Sequence, residues 1–427
     1  MRVEALLKRA DPIVASALDR AIDGKDVSAE DAVELFDSKG LEMNLTVLVA
    51  DELRRRSVGD AVTFVVNRNI NFTNVCIKQC GFCAFSRDFR EEEGYFLPTE
   101  EIVRRAREAA GLGATEVCIQ AGLPPKMDGG LYVDICRAVK RELPDMHIHA
   151  FSPEEVLYGA IRSETSVDQY VGMLKEAGVG SLPGTAAEIL DQEMRDTISP
   201  GRISVDDWVR IIKLAHRSGI PTTSTIMYGH RETSKHKADH IALLREIQKE
   251  THGFTEFVPL SFVHTEAPMY NQHTVPDVRA GADGFEVVKM HAVSRIMLNN
   301  HIPNLQVSWV KEGPRMSQLL LAAGANDLGG TLINESISTA AGSQHGQLLR
   351  PREIRRLIRS AGRIPCQRST TYRIIREYRD EANDGESTLD TADSSQFGSY
   401  HQLVKLDKFR YARKTTTAPD ADIDKMK

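Results

Sequence analysis

The run Cys76-Ile-Lys-Gln-Cys80-Gly-Phe-Cys83 places three thiols within eight positions, directly after a strand-like segment. A tetrahedral zinc site takes four protein ligands, usually as two separated pairs. Here a triplet stands with no fourth cysteine near it. Three thiolates suit three irons of a four-iron cluster and leave the fourth iron open to an outside ligand. Two other readings stay open on the residues alone: a zinc site completed by a histidine, and cysteines that serve packing or redox chemistry. The remaining cysteines form no second cluster. Cys118 falls in a strand pattern, Cys136 in a helix pattern and Cys366 near the end of the patterned chain, where each reads as a small buried hydrophobe.

Further candidates stand where strand-like runs end. Gln120-Ala121-Gly122 offers small residues that let backbone approach a ligand closely, or else a plain turn. Ser152-Pro153-Glu154-Glu155 presents a hydroxyl and acids, and is equally a good helix start. Thr185 and Glu188 read as ligand contacts or as a capping box. Tyr228, His230, His264, Glu266, Ser308, Asn326 and Asp327 follow later apolar runs. Converging on one mouth, they would suit a substrate rich in hydrogen-bond donors and acceptors, and each also suits a supporting or capping role.

Such groups converge only if the elements do. Short apolar, β-branched runs at 62–72, 115–120, 147–151, 180–183, 222–228, 256–262, 306–310 and 327–331 predict strands, with helix-period segments between them. Eight alternating units predict a parallel sheet closed as a (β/α)8 TIM-type barrel, with a six-unit open barrel as the competing geometry. Chemistry in such a barrel sits at the C-terminal strand ends, where the triplet falls. A helical extension is expected over 1–60, with Ser28 capping a helix ahead of Asp31, the barrel over 61–375 and a polar, flexible tail over 376–427.

Composition excludes several classes. A net charge of −6 gives no basic footprint for nucleic acid. No apolar run is long enough to span a bilayer, and the charged N-terminus has no secretory core. Six cysteines without a disulfide framework fit a reducing interior, so a cytoplasmic enzyme is expected.

The triplet, with Phe82 before its last cysteine, resembles the signature of the radical S-adenosylmethionine (SAM) enzymes. HAFSPEEV, LPGTAAEIL and HTEAPMY narrow this: from about Val62 to Tyr372 the chain is similar to the tyrosine-cleaving family, subunit 2, of FO synthase. Sister enzymes of the futalosine route to menaquinone share the general frame. The glycine turn departs from the superfamily pattern, because Ala121 replaces one glycine and no acid follows.

The resemblance implies a radical SAM barrel and a single 4Fe-4S cluster on Cys76, Cys80 and Cys83, with Phe82, Gln120, Gly122, Ser152, Thr185 and Glu188 at SAM. It implies that an electron from the cluster releases a 5′-deoxyadenosyl radical from SAM. Tyrosine then loses a hydrogen, its Cα–Cβ bond breaks, and 5-amino-6-(D-ribitylamino)uracil captures the 4-hydroxybenzyl group. It implies partners too: a one-electron reductant such as ferredoxin or flavodoxin, and FO synthase subunit 1, a second radical SAM protein that closes the deazaflavin ring. The rivals are a futalosine-route or biotin-synthase-like radical enzyme, a non-catalytic iron–sulfur or zinc protein, and an aldolase-type barrel.

Overall fold

The structure is a computed structural model that describes residues 6–78 and 80–411. Its first barrel strand comes in two pieces, β1 (Ala61–Val65) and β2 (Asn67–Ile70). Next come β3 (Glu116–Ile119), β4 (His147–His149) and β5 (Val179–Ser181), then the longer β6 (Thr222–Tyr228) and β7 (Phe254–Ser261), and β8 (Asp327–Gly330). Parallel ladders join β2 to β3, β4 and β5, and others join β6 to β7 and β1 to β8. Single bridges complete the ring. Leu182 pairs Thr222, Phe257 pairs Leu305, Gln306 pairs Asp327, and Arg68 pairs Ile333. The sheet therefore closes on eight positions, as the strand count predicted, and the six-unit open barrel is set aside.

The seventh position differs from expectation. The predicted strand 306–310 shrinks to the bridges at Leu305 and Gln306, and a helix runs over Trp309–Leu320 from Ser308. Trp309 explains the early turn, since its buried indole donates to the carbonyl of Gly330 at 2.8 Å and pins the helix start against β8.

Three helices, α1 (Pro12–Ile22), α2 (Ala29–Asp37) and α3 (Gly40–Val58), precede the barrel. Ser28 and Asp31 form the expected capping box at α2. Buried Leu18, Leu35, Leu45 and Val49 belong to the same core as the barrel helices.

After β8 the chain returns as β9 (Ile364–Arg368), parallel to β1 from Ala61 to Phe64, and β10 (Ile374–Glu377), antiparallel to β9. The register places this hairpin at the N-terminal end of the barrel, where it forms a floor. The expected flexible tail is corrected as far as Tyr411. Leu389, Tyr400, Leu403 and Phe409 are buried, and Asp384 pairs with Arg355 at 3.0 Å and Arg359 at 2.5 Å. Its backbone adds to the body through Phe96 N to Phe409 O at 2.7 Å and Tyr411 N to Gly94 O at 2.8 Å. A few well-spaced apolar residues and charge partners suffice to dock a segment whose average composition reads as solvated. Residues 412–427, part of the same expectation, lie outside the described residues.

Candidate active site

The cysteine loop lies across the C-terminal end of the barrel. Its backbone is held on several sides: Cys76 N donates to Arg87 O at 3.0 Å, Ile77 N to Leu123 O at 2.8 Å, Gly81 N to Ile198 O at 2.9 Å, and Met269 N to Gly81 O at 2.7 Å. A Cβ on Gly122 would collide with the carbonyl of Val75, so glycine there lets the second-strand turn pack on the cysteine loop. All six cysteines are free. Among the described residues, no three His, Cys, Asp or Glu side chains gather tightly enough for one metal ion. Burial pushes the Cys80 thiol up to about 12, opposed by Arg202.

Beneath the loop lies a cavity of about 400 Å³. Cys76, Cys80, Phe82 and Cys83 line it, as do Gln120, Gly122, Ser152, Thr185 and Glu188. The structure thus brings all the residues expected at SAM to one cavity, from the loops after the first four barrel strands. Ser152 is also a working cap: with Glu155 it forms the capping box of helix Pro153–Arg162, and its hydroxyl donates to Glu155 Oε2 at 2.6 Å. Glu155 further accepts from Ala121 N at 2.9 Å, and burial pushes its carboxyl up to about 7. The capping box at Thr185 and Glu188 does not form, because the next helix begins only at Gln192. Instead the Thr185 hydroxyl donates to Gln120 Oε1 at 2.9 Å. Ala186 and Glu188 both take left-handed φ, at about 1–2 kcal/mol each. Arg195 fixes this bend through the carbonyls of Ala186 and Ala187 at 3.0 and 2.6 Å.

That bend serves Arg202, which the sequence reading passed over. Its guanidinium lies 3.3 Å from Cys80 Sγ, 3.4 Å from Glu154 and 3.4 Å from Glu188, with Phe82 5.6 Å away on its face. The cation is buried, and the thiol and both carboxylates hold it charged. It comes from a loop after a helix, so no strand-end rule pointed to it. Lys311 was also missed. It lines the cavity beside Ser308, near Glu335 and Glu312, and its ammonium makes no ion pair among the described residues.

The second set of expectations fares differently. Ser308 lines the cavity. Tyr228 is fully buried and donates to Glu312 Oε1 at 3.3 Å, away from the lining. On β6 the inward residues are Thr223, Thr225 and Met227, so Tyr228 has the wrong parity. His230 is buried beyond a turn at Gly229, against Met227 O and Glu232. His264 packs edge-on to Tyr270 with centroids 4.7 Å apart, and Glu266 is exposed. Both stand past the end of β7, on a loop that braces Gly81. Asn326 holds Arg295 Nη2 at 2.7 Å and Leu305 N at 2.8 Å. Asp327 lies at the start of β8, hence at the floor, paired with Arg368 Nε at 2.5 Å. None of those six lines the cavity.

The site's residues fit the implied cofactors: three rim thiols, a buried guanidinium beside them, and convergent hydroxyl, amide and carboxylate groups. Asn69 Oδ1, on a residue of the same lining, is buried without a hydrogen-bond partner, which is what a site built for a ligand leaves behind.

Comparison with known proteins follows the same lines. The Radical SAM superfamily matches residues 70–244, and the CofH/MqnC C-terminal region matches residues 251–382. A 5-amino-6-(D-ribitylamino)uracil–L-tyrosine 4-hydroxyphenyl transferase of Methanothermobacter thermautotrophicus is 47% identical over 84% of this chain and 97% of its own length. The enzyme of that name from Methanocaldococcus jannaschii is 49% identical over 82% of this chain and 98% of its own. Methylornithine synthase shares the fold at a TM-score of 0.61 and 20% identity, over 81% of this chain and 95% of its own. HydG, a maturase of the FeFe-hydrogenase, does so at 0.65 and 16%, over 87% and 79%. This chain belongs to the radical SAM family of 5-amino-6-(D-ribitylamino)uracil–L-tyrosine 4-hydroxyphenyl transferases.

Proposed function

We propose that this chain is a radical SAM transferase that cleaves L-tyrosine and delivers its 4-hydroxybenzyl group to 5-amino-6-(D-ribitylamino)uracil. The observation that carries the reading is a cysteine triplet at the rim of a closed barrel with polar groups among its cavity lining, in a chain close to half identical to transferases of that name. Cys76, Cys80 and Cys83 would hold three irons of one 4Fe-4S cluster, and SAM would dock at its open position. When bound, cluster and sulfonium supply the one-electron chemistry that starts the reaction.

The chain's own residues do the rest. Arg202, 3.3 Å from Cys80 Sγ, would hold the carboxylate of SAM, while Glu154 and Glu188 keep its guanidinium in place. Gln120 and Thr185, already hydrogen-bonded to each other, present an amide and a hydroxyl to the nucleoside. Lys311 offers the tyrosine carboxylate a cation not already paired. The ring of strands and the cysteine loop exclude water, which a reactive alkyl radical requires.

The partners proposed with this activity are FO synthase subunit 1, a second radical SAM protein that closes the deazaflavin ring, and a one-electron reductant such as ferredoxin or flavodoxin. The free thiols suit a reducing compartment such as the cytoplasm. Among the described residues no helix is long and apolar enough to cross a membrane.

The test is anaerobic incubation of the reconstituted protein with SAM, reductant, tyrosine and the diaminouracil, read by mass spectrometry. The hydroxybenzyl adduct is expected from the native chain and none from Cys80→Ala. SAM cleavage without adduct, or adduct from Cys80→Ala, overturns the reading.

A further inference from the structure

The interior of a TIM-type barrel is normally filled by layers of branched apolar side chains. Here the cavity continues from the thiols down the barrel axis to Glu116, His149, Thr223, Glu256, Arg368 and Thr370. Along β3 alone, Glu116 to Gln120 spans about 13 Å of that depth. The cavity floor is polar, and two of its groups, Arg368 and Thr370, come from the hairpin that crosses the base of the barrel.

The charge at this floor is already spent. Arg368 directs Nε to Asp327 Oδ2 at 2.5 Å and Nη2 to Oδ1 at 3.1 Å, and lies 4.0 Å from the ring centroid of Tyr372. With its fork occupied, it cannot serve a substrate carboxylate. The acids, by contrast, keep acceptor capacity. Glu256 takes the Tyr372 hydroxyl and Arg368 Nη2 on Oε2, which leaves Oε1 open in a residue of the lining. Glu116 accepts one bond on each oxygen, from Asn67 Nδ2 at 2.8 Å and Thr370 Oγ1 at 2.6 Å, where a carboxylate oxygen has room for a second. His149 leans on Ser181 Oγ at 2.7 Å, and burial pushes its imidazole down to about 4, so it adds no cation. Such a floor favours a neutral ligand with several hydroxyl donors and disfavours a zwitterion. The mouth has the opposite character, with Lys311 and Arg202 as cations.

Resting on the function proposed above, we infer that the floor of the barrel is the ribityl subsite. The acceptor enters polyol first, its hydroxyls donate to Glu256, Glu116 and Thr370 Oγ1, and its pyrimidine ring is left facing the mouth. The depth accommodates an extended five-carbon chain below a ring, and the amino acid stays above, where an unpaired cation meets its carboxylate. The C-terminal hairpin thereby becomes a specificity element as well as a floor.

The test compares two ligands on the reconstituted, full-length protein by titration calorimetry: 5-amino-6-(D-ribitylamino)uracil and 5,6-diaminouracil, which lacks the polyol. Native protein is expected to bind the first at least about 30-fold more tightly, as two or three buried hydrogen bonds predict. Glu256→Gln and Thr370→Val should each weaken the ribityl ligand by about 10-fold or more and change the ring-only ligand by less than about 2-fold. An unchanged melting temperature certifies the variants as folded, and Thr370→Val, the milder change, carries the test should Glu256→Gln unfold. Equal binding of the two ligands by native protein, or equal weakening of both by the folded variants, overturns the subsite while leaving adduct formation intact. No adduct from native protein removes the function and the subsite together.

Discussion

The two halves of the barrel mouth behave differently. Over the first four strands, every residue expected at the cofactor reaches the cavity. Over the last four, Ser308 does so, and Tyr228, His230, His264, Glu266, Asn326 and Asp327 do not. Parity turns Tyr228 away, Asn326 and Asp327 stand at or before the start of β8, and strand length accounts for His230, His264 and Glu266. β3, β4 and β5 have three or four residues, so their following loops turn at once over the opening. β6 and β7 have seven and eight, which carries the residues after them past the rim, where they pack on other loops. After β6 and β7, proximity to a strand end therefore does not mark a site, because those ends lie beyond the rim.

The largest expected effect lies in the first half. Arg202 contacts a thiol and two carboxylates in different directions, which one ammonium cannot reproduce. Arg202→Lys is expected to raise the KM for SAM by about 100-fold with kcat changed far less, since it removes a binding contact held in ground and transition states alike. Steady-state formation of 5′-deoxyadenosine at varied SAM reads this. An unchanged KM would mean that Arg202 only neutralises its neighbours, and the contrast between the halves would lose its energetic content.

The comparison also shows what the sequence could and could not carry. The barrel was legible because β-branched runs alternate with helix-period segments eight times, and even the two-residue seventh strand left a signal in Gln306-Val307. The cysteine triplet was legible because spacing alone fixes ligand geometry. Arg202 was not, because it stands in a loop with no motif of its own and acquires meaning only when the fold sets it against Cys80. Parity was not legible on β6, where all seven residues are buried and apolar pattern cannot say which face looks inward. The floor was not legible because barrel chemistry is expected at C-terminal strand ends, whereas Glu116 stands at the start of β3 and Arg368 and Thr370 come from beyond the eighth strand. The tail misled through its average composition, when Leu389, Tyr400 and Phe409 alone decide its docking.

In the second half the expected losses are of stability. Asn326 answers two buried donors, Leu305 N and an Arg295 guanidinium that burial has pushed down to about 9. Asn326→Ala leaves both short of a partner and is expected to cost about 3 kcal/mol in chemical denaturation, with activity per folded molecule unchanged. A fall in turnover without a fall in stability would return Asn326 to the substrate.

A pH-dependent effect distinguishes the capping role in the first half. The folded-state pKa of Glu155 is raised from its ordinary value of 4.5 to about 7, chiefly by burial. A raised carboxyl pKa favours the folded state below pH 4.5, and that advantage is lost as pH climbs through 7. Glu155→Gln stays neutral throughout. The melting temperature of native protein relative to this variant should therefore decline between about pH 5 and 7.5, by no more than about 3 kcal/mol in equivalent stability. A flat difference across that window would place Glu155 in a wetter setting than its capping geometry implies.

The smallest effect tests the lesson of strand length directly. His264 stands past the end of β7, with its ring edge-on to Tyr270 and no side-chain hydrogen bond among the described residues. A titratable group after a barrel strand is what one would first choose as a proton carrier, yet nothing in its surroundings prepares it for that role. His264→Ala should remove only the ring contact, less than about 1 kcal/mol, and leave kcat/KM for adduct formation within about 2-fold of native. A 10-fold loss would mean that the loop carrying His264 folds over the cavity during turnover. Strand length would then describe the resting shape of this half without limiting what it can reach.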